Sequence, residues 1–306
     1  MPALLLNALV PLVLLLVLGF GLKRRHVVAD AFWPSLDRLT YWVFFPSLLF
    51  VSMATGEGGL DAGGRIVASV WGGLALVALA TWLARGRLAA TGPAFTSVFQ
   101  GAIRFNSFVA FLVVPVLYPG SEGQTALMVA ATVPFVNVLS VTVLARYGDG
   151  AELRVGSLAT SILTNPLIVS SVLGVVVGRV GLPLGPLEGG LRMLGQVALV
   201  SGLLSAGATL RFRHVREGWR QIASTMGLKL AGLPLATAGV GAALGLPAAA
   251  LAPLVLFQAM PTASSSYVLA RAMRGDAELM ASILAIHTVA TVAWLPVVYA
   301  LIQRFA

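Results

Sequence analysis

The sequence predicts an all-α polytopic membrane protein of ten transmembrane helices, arranged as two inverted five-helix repeats. Three observations carry this. The 306-residue chain is 58% hydrophobic and only 10% charged, where a soluble domain is about a quarter charged. Its mean hydropathy is +0.93, more apolar surface than a soluble fold can keep from water. Apolar runs of spanning length recur along the chain, and its two halves repeat one another in order.

A spanning helix needs about 20 mostly apolar residues. Runs that meet this fall at 3–22, 34–54, 64–84, 94–117, 122–145, 157–179, 190–210, 218–243, 248–272 and 278–302. The first, MPALLLNALVPLVLLLVLGFG, has no basic segment ahead of it and no small-residue cleavage site. Its basic cluster, Lys23-Arg24-Arg25, comes afterwards, the order of a retained helix and not of a signal peptide. The connections hold most of the charges and many glycines, as in GEGGLDAGGR and RYGDGAELR, and none has room for a soluble domain.

Basic residues give the orientation. With the N-terminus outside, 14 of the 20 Lys and Arg lie on cytoplasmic loops or adjoining helix ends, and four (Arg65, Arg179, Arg192, Arg304) lie outside. This positive-inside split puts both termini on the outer, periplasmic side of the plasma (inner) membrane. The net charge of +9 is thus a topology signal, not a sign of nucleic-acid binding. The absence of cysteine excludes disulfides, thiolate metal sites and cysteine catalysis.

Internal repetition completes the plan. At a shift of 155, Pro11-Leu12 falls on Pro166-Leu167, Gly19 on Gly174, Leu39 on Leu194, and Leu48-Leu49 on Leu203-Leu204. At 158, FQGAIRFNSF (99–108) falls on FQAMPTASSS (257–266), and at 152 Leu127-Met128 falls on Leu279-Met280. The repeats run 1–147 and 153–306. Five helices is an odd number, so the second repeat lies inverted with respect to the first, the plan of many secondary transporters.

The fourth helix of each repeat is interrupted by polar residues: Gln100, Gly101, Arg104, Asn106 and Ser107 in helix 4, and Gln258, Pro261, Thr262, Ser264, Ser265 and Ser266 in helix 9. Pro261 removes a backbone donor and clashes with the preceding turn, while serines can satisfy freed backbone groups. Non-helical backbone at this depth persists only inside protein or along a wet cavity, and matched breaks in two halves point to a binding site. If the broken helices cross, their half-helix ends supply partial charges for an anion or a cation.

Arg104 costs at least roughly 2.5–3.5 kcal/mol at the bilayer centre on insertion scales. All eleven acids lie in loops or at helix ends, so the interior is net positive through Arg104, Lys229 and His287. That balance predicts a small organic anion, such as a carboxylate, as substrate. Arg104 has two readings, substrate contact or neutralisation of negative half-helix ends. Lys229 reads as a helix-end or carbonyl partner or as a site group. His287 reads as a hydrogen-bonded core residue or a coupling group. The serines cap the break or contact the ligand, and Asn137 and Asn165, beside Pro134 and Pro166, line a cavity or hold helices together. His26 and His214 lie in basic loops without metal-ligand spacing. No catalytic set, metal site or cofactor is predicted, so the chain is not expected to be an enzyme.

The segments FQGAIRFNSFVAFLVVPVL, TNPLIVSSVLGVVVG, GLLSAGATL, LKLAGLPLA and QAMPTASSSYVLARAMRGDAELMASIL resemble the auxin efflux carrier family of bacterial and plant membrane transporters. The last is the most specific, with a proline-interrupted helix, a basic exit and Gly-Asp-Ala-Glu opening the final helix. The resemblance implies helices 4 and 9 crossing as in the sodium/proton antiporters and bile acid:sodium symporters. It also implies a scaffold of helices 1, 2, 6 and 7, a mobile domain of helices 3–5 and 8–10, and a homodimer. It places the site at the crossing, on Asn106, Ser107 and Pro261 to Ser265, with an auxin-like or small carboxylate anion as cargo. Two features depart from the family: helix 4 has no proline at its break, the nearest being Pro115, and the long cytosolic loop of the large plant carriers is absent.

The resulting expectation is a secondary carrier that exports an organic anion by alternating access, the mobile domain moving the site past the scaffold. With no acidic relay at mid-span, uniport driven by the membrane potential competes with a sodium-coupled symporter of bile-acid-like or other organic acids. The coupling ion, sodium or proton, is open. A membrane sensor that binds the anion without moving it is the reading from another class.

Overall fold

A computed structural model describes residues 2–56, 63–149 and 164–305. Among these residues every regular element is helical, and seven helices are long and apolar enough to cross a membrane: Ala3–Arg24, Gly63–Leu83, Gly92–Leu117, Glu122–Tyr147, Pro186–Ala208, Trp219–Ala243 and Ala277–Arg304. The three other expected spans take different forms. The run at 34–54 is α2 (Phe32–Leu39), a π-helical segment (Thr40–Phe44) and α3 (Phe45–Thr55). The run at 157–179 lies in part outside the described residues, as do Glu57, Asp61, Glu152, Arg154 and the start of the second repeat at 153. Its described part is α9 (Pro166–Val180). The run at 248–272 divides into α13 (Ala248–Gln258) and α14 (Ser265–Ala272).

The chain forms two compact units. The first comprises Met1–Gly63, Phe108–Ala131 and Val155–Ala208, and within it α1 (Pro2–Arg24) packs on α10 (Pro186–Ala208). Small residues set that approach from both sides: a Cβ on Gly19 would overlap the Leu204 carbonyl, and one on Gly207 would overlap the Leu16 carbonyl. Backbone cannot rotate aside as a side chain can. Gly19→Ala is therefore expected to destabilise the protein by about 1–3 kcal/mol, seen as a lower Tm in detergent. Gly21→Ala, in the same helix but with nothing within 4 Å of its added Cβ, should instead stabilise by up to about 1 kcal/mol through helix propensity.

The second unit comprises Gly64–Ser107, Thr132–Arg154 and Thr209–Ala306. It holds α4 (Gly63–Leu83) from Gly64 onward, α5 (Arg85–Leu88), α6 (Gly92–Ile103), Ser107 at the head of α7 (Ser107–Leu117), and α8 (Glu122–Tyr147) from Thr132 onward. After these come α11 (Trp219–Met226), α12 (Leu233–Ala243), α13, α14 and α15 (Ala277–Phe305). Val98, Ala270, Met280 and Ile283 lie in one buried apolar cluster. The Gly-Asp-Ala-Glu motif starts α15: Asp276 Oδ1 accepts from Leu279 N–H at 2.9 Å, an N-cap. The Asp276 carbonyl takes the Ser97 hydroxyl at 2.6 Å, and its N–H donates to the Pro93 carbonyl at 3.2 Å. These bonds fasten the start of α15 to α6.

Between α11 and α12 the chain runs through a π-helical segment, Gly227–Gly232, that carries Lys229. The cause is Pro234. Leu233 N–H reaches back five residues to the Leu228 carbonyl, and Pro234 has no N–H to return the ladder to its usual register. The Leu230 carbonyl, four residues before the proline, takes the Trp294 indole N–H instead, at 2.8 Å. The same pattern precedes Pro46, where Phe45 N–H bonds to the Thr40 carbonyl.

Candidate functional site

Both interruptions expected from the sequence are present in the second unit. Helix α6 stops at Ile103; Arg104 has φ −78° and ψ 154°, and helical structure resumes at Ser107. Helix α13 ends at Gln258, and α14 begins at Ser265. Three hydrogen bonds join the breaks. Asn106 N–H donates to the Pro261 carbonyl at 2.7 Å, Thr262 Oγ1 to the Gly101 carbonyl at 2.9 Å, and Arg104 Nη2 to Ser265 Oγ at 2.9 Å. Helix 4 thus breaks without a proline because its freed groups find partners on the other break. Gly101 lets α6 pack closely on α15 and α11: a Cβ there would lie 2.9 Å from Ile283 Cγ2 and 3.1 Å from Thr225 Cγ2.

Arg104 is 7% exposed. Its Nη1 donates to Asn137 Oδ1 at 2.9 Å, and Nη2 makes the Ser265 bond. Nε has no protein partner among the described residues. A guanidinium carries five N–H groups in a planar fork, so two bonds hold it in place and three hydrogens remain for a ligand. No carboxylate pairs with it among the described residues, and none of the described acids is buried.

A second polar group lies behind the break. His287, fully buried, places Nδ1 2.9 Å from Thr262 Oγ1 and Nε2 3.1 Å from Thr225 Oγ1. A hydroxyl has one hydrogen. Gly101 lies in the last turn of α6, where carbonyls lack helical donors, and Thr262 gives its hydrogen there. His287 Nδ1 must then carry the proton and donate to Thr262, while Thr225 gives its own hydrogen to the Ile222 carbonyl at 2.8 Å. The donors run from His287 through Thr262 to the broken end of α6. Thr262→Val keeps the shape but leaves the Gly101 carbonyl and His287 Nδ1 without partners. It should cost about 1–3 kcal/mol for each group, measured as a drop in Tm.

Lys229 is fully buried and within Coulombic reach of His287. Its Nζ has no protein partner among the described residues. Gln100 is fully buried with both amide atoms unpartnered, and Gln258 donates to Thr237 Oγ1 at 3.2 Å while its Oε1 is unpartnered. The serine run does not cap the break. Ser264 makes no side-chain cap bond, Ser265 takes the Arg104 bond, and the buried Ser266 Oγ is unpartnered. Asn165 belongs to the first unit, where its side chain caps α9 by accepting from Leu167 N–H at 2.9 Å. Thr225 and Thr237 are polar groups that the sequence did not single out. Thr225 lies four residues before Lys229 in ASTMGLKL, and nothing in that stretch marks it out.

Helices of spanning length, two of them broken and bonded at the breaks, with buried cations and no buried acid among the described residues, are the architecture of a membrane transport protein. The comparisons agree. Residues 153–299, the second half of the chain, match the family model described as membrane transport protein. An uncharacterized transporter of Methanothermobacter thermautotrophicus (strain Delta H) is 27% identical over 290 residues, spanning 92% of this chain and 93% of the relative.

Proposed function

We propose that the chain is a secondary carrier of a small organic anion, a carboxylate or auxin-like acid, working by alternating access at the joined breaks of helices 4 and 9. One observation carries this reading: Arg104 is held by two neutral side chains, keeps three N–H groups unspent, and has no buried carboxylate to neutralise it among the described residues. An incoming carboxylate matches that planar fork. Gln100, Asn106, Ser107, Gln258, Pro261, Thr262, Ser264 and Ser265 complete the proposed site, with Lys229, His287 and Asn137 around it. The inverted ten-helix repeat, the crossing of helices 4 and 9, the division into scaffold and moving domain, and a homodimer belong to the same proposal. The excess of Lys and Arg on one set of loops supports both termini outside the plasma membrane.

Efflux by uniport fits the charge. One anion leaving a negative interior gains about 2.3 kcal/mol per 100 mV. Sodium coupling is the second reading, supported by the unpartnered neutral oxygens Gln100 Oε1, Gln258 Oε1 and Ser266 Oγ, which are hard ligands suited to such a cation. Charge movement in proteoliposomes challenged with a panel of small organic acids, with and without sodium, separates these readings. Sodium-independent anion current is the expected result. Current that requires sodium moves the assignment to the symporter, and binding without flux in both conditions overturns the carrier in favour of a sensor.

A further inference from the structure

A crevice of about 490 Å³ runs along the second unit between α4 and α8, with Phe99 of α6 also in its wall and none of the proposed site residues lining it. Its walls are one stripe of each helix, with Ala75, Ala78 and Leu79 opposite Leu139 and Val143. Phe135 lies at one end, its ring stacked on Trp71 at 5.2 Å. At the other end Trp82 Nε1 donates to Tyr147 Oη at 3.0 Å, and Arg146 lies on the rim. Arg85 adds a second cation there: its Nη1 donates to the Trp82 carbonyl at 3.2 Å, and its guanidinium lies 4.7 Å from the centre of the Trp82 ring. Neither arginine has a carboxylate partner among the described residues, and no acid lines the crevice.

The dimensions are those of one lipid leaflet. From Phe135 to Tyr147 a helix rises about 18 Å, against about 15 Å for half of the hydrocarbon core. The apolar length therefore matches an acyl chain, and Trp82 and Tyr147 fall at headgroup level, where such rings collect. The wide strip left by Ala75 and Ala78 gives room for a chain, and the two arginines at its mouth select the sign of the headgroup.

We propose that this crevice is a binding site for an anionic phospholipid, its acyl chain along α4 and α8 and its phosphate between Arg85 and Arg146. Each arginine near a membrane surface favours an anionic lipid severalfold, and two together should enrich it on the order of tenfold over a zwitterionic one. The site is separate from the proposed substrate site, so neither reading depends on the other.

Native mass spectrometry of the full chain, released from nanodiscs of phosphatidylglycerol and phosphatidylcholine in equal parts, tests it. The wild type should retain phosphatidylglycerol on the order of tenfold more often than phosphatidylcholine. Arg85→Gln/Arg146→Gln should bring the ratio close to one with Tm unchanged. Thr142→Phe, at an exposed lining position, should fill the chain's seat and lower retention of both lipids while leaving the arginines in place. An even ratio in the wild type, or one that the double variant leaves unchanged, overturns the proposal. So does efficient displacement of the lipid by chainless glycerol phosphate, which would reduce the site to a surface anion contact.

Discussion

Arg104→Gln is expected to lower organic-anion flux roughly tenfold to a hundredfold, the loss that follows from removing hydrogen bonds to a charged group worth about 1.5–3 kcal/mol. Glutamine keeps the position polar but is too short to make either bond, to Asn137 Oδ1 or Ser265 Oγ, and the Asn106–Pro261 and Thr262–Gly101 bonds remain to hold the break closed. Arg104→Lys should recover little. An ammonium is a point charge without the planar fork, and a lysine placed to reach both Asn137 and Ser265 has one N–H left for a two-oxygen carboxylate. The alternative role for Arg104, as a counter-charge at the C-terminal end of α6, predicts the reverse ranking. Lysine would then rescue, and glutamine would lower Tm more than it lowers flux at a temperature where the protein is folded. Measuring Tm and proteoliposome flux on both variants separates the two roles.

Much of this site was legible in the sequence because charge is rare there. An arginine in FQGAIRFNSF and a proline followed by serines in QAMPTASSS stand out against an apolar background, and both breaks are where they were expected. Their joining was not legible. Asn137 and Ser265 lie 33 and 161 residues from Arg104 along the chain, and only tertiary packing brings them to its two nitrogens. The stop of α6 at Ile103 has the same origin, since Asn106 N–H leaves the helical ladder for a carbonyl on the other break. Pro46 and Pro234 were visible, yet a proline alone does not announce a π-helical register upstream. Of the two readings of the serines, capping is the one the geometry does not show, for a related reason. Their chemistry suits capping, but the geometry gives Ser265 to an arginine and leaves Ser266 buried without a partner among the described residues. Thr225 looked like any threonine in an apolar helix, because the group it meets, His287, lies 62 residues away.

Lys229→Met is expected to raise stability and lower transport together. Lys229 is among the largest fully buried side chains, and its Nζ has no partner among the described residues. Replacing buried charge by an apolar group of similar volume is often stabilising, by about 1–4 kcal/mol, and methionine keeps the unbranched shape. The π-helical segment that carries Lys229 is set by Pro234 and the Trp294–Leu230 bond, neither of which the substitution touches, so the backbone should hold. A folded core gains nothing from a solitary ammonium, and residues kept at a cost to stability are those that function requires. A rise in Tm of several degrees, with anion flux reduced tenfold or more, would place the Lys229 charge in the transport cycle, at the site or in its coupling. Lys229→Arg separates these. Restored binding with altered sodium or pH dependence assigns it to coupling, and loss of binding assigns it to the anion. A fall in Tm on Lys229→Met, with flux per folded molecule unchanged, would show instead that the ammonium is a structural member of the core and remove it from the mechanism.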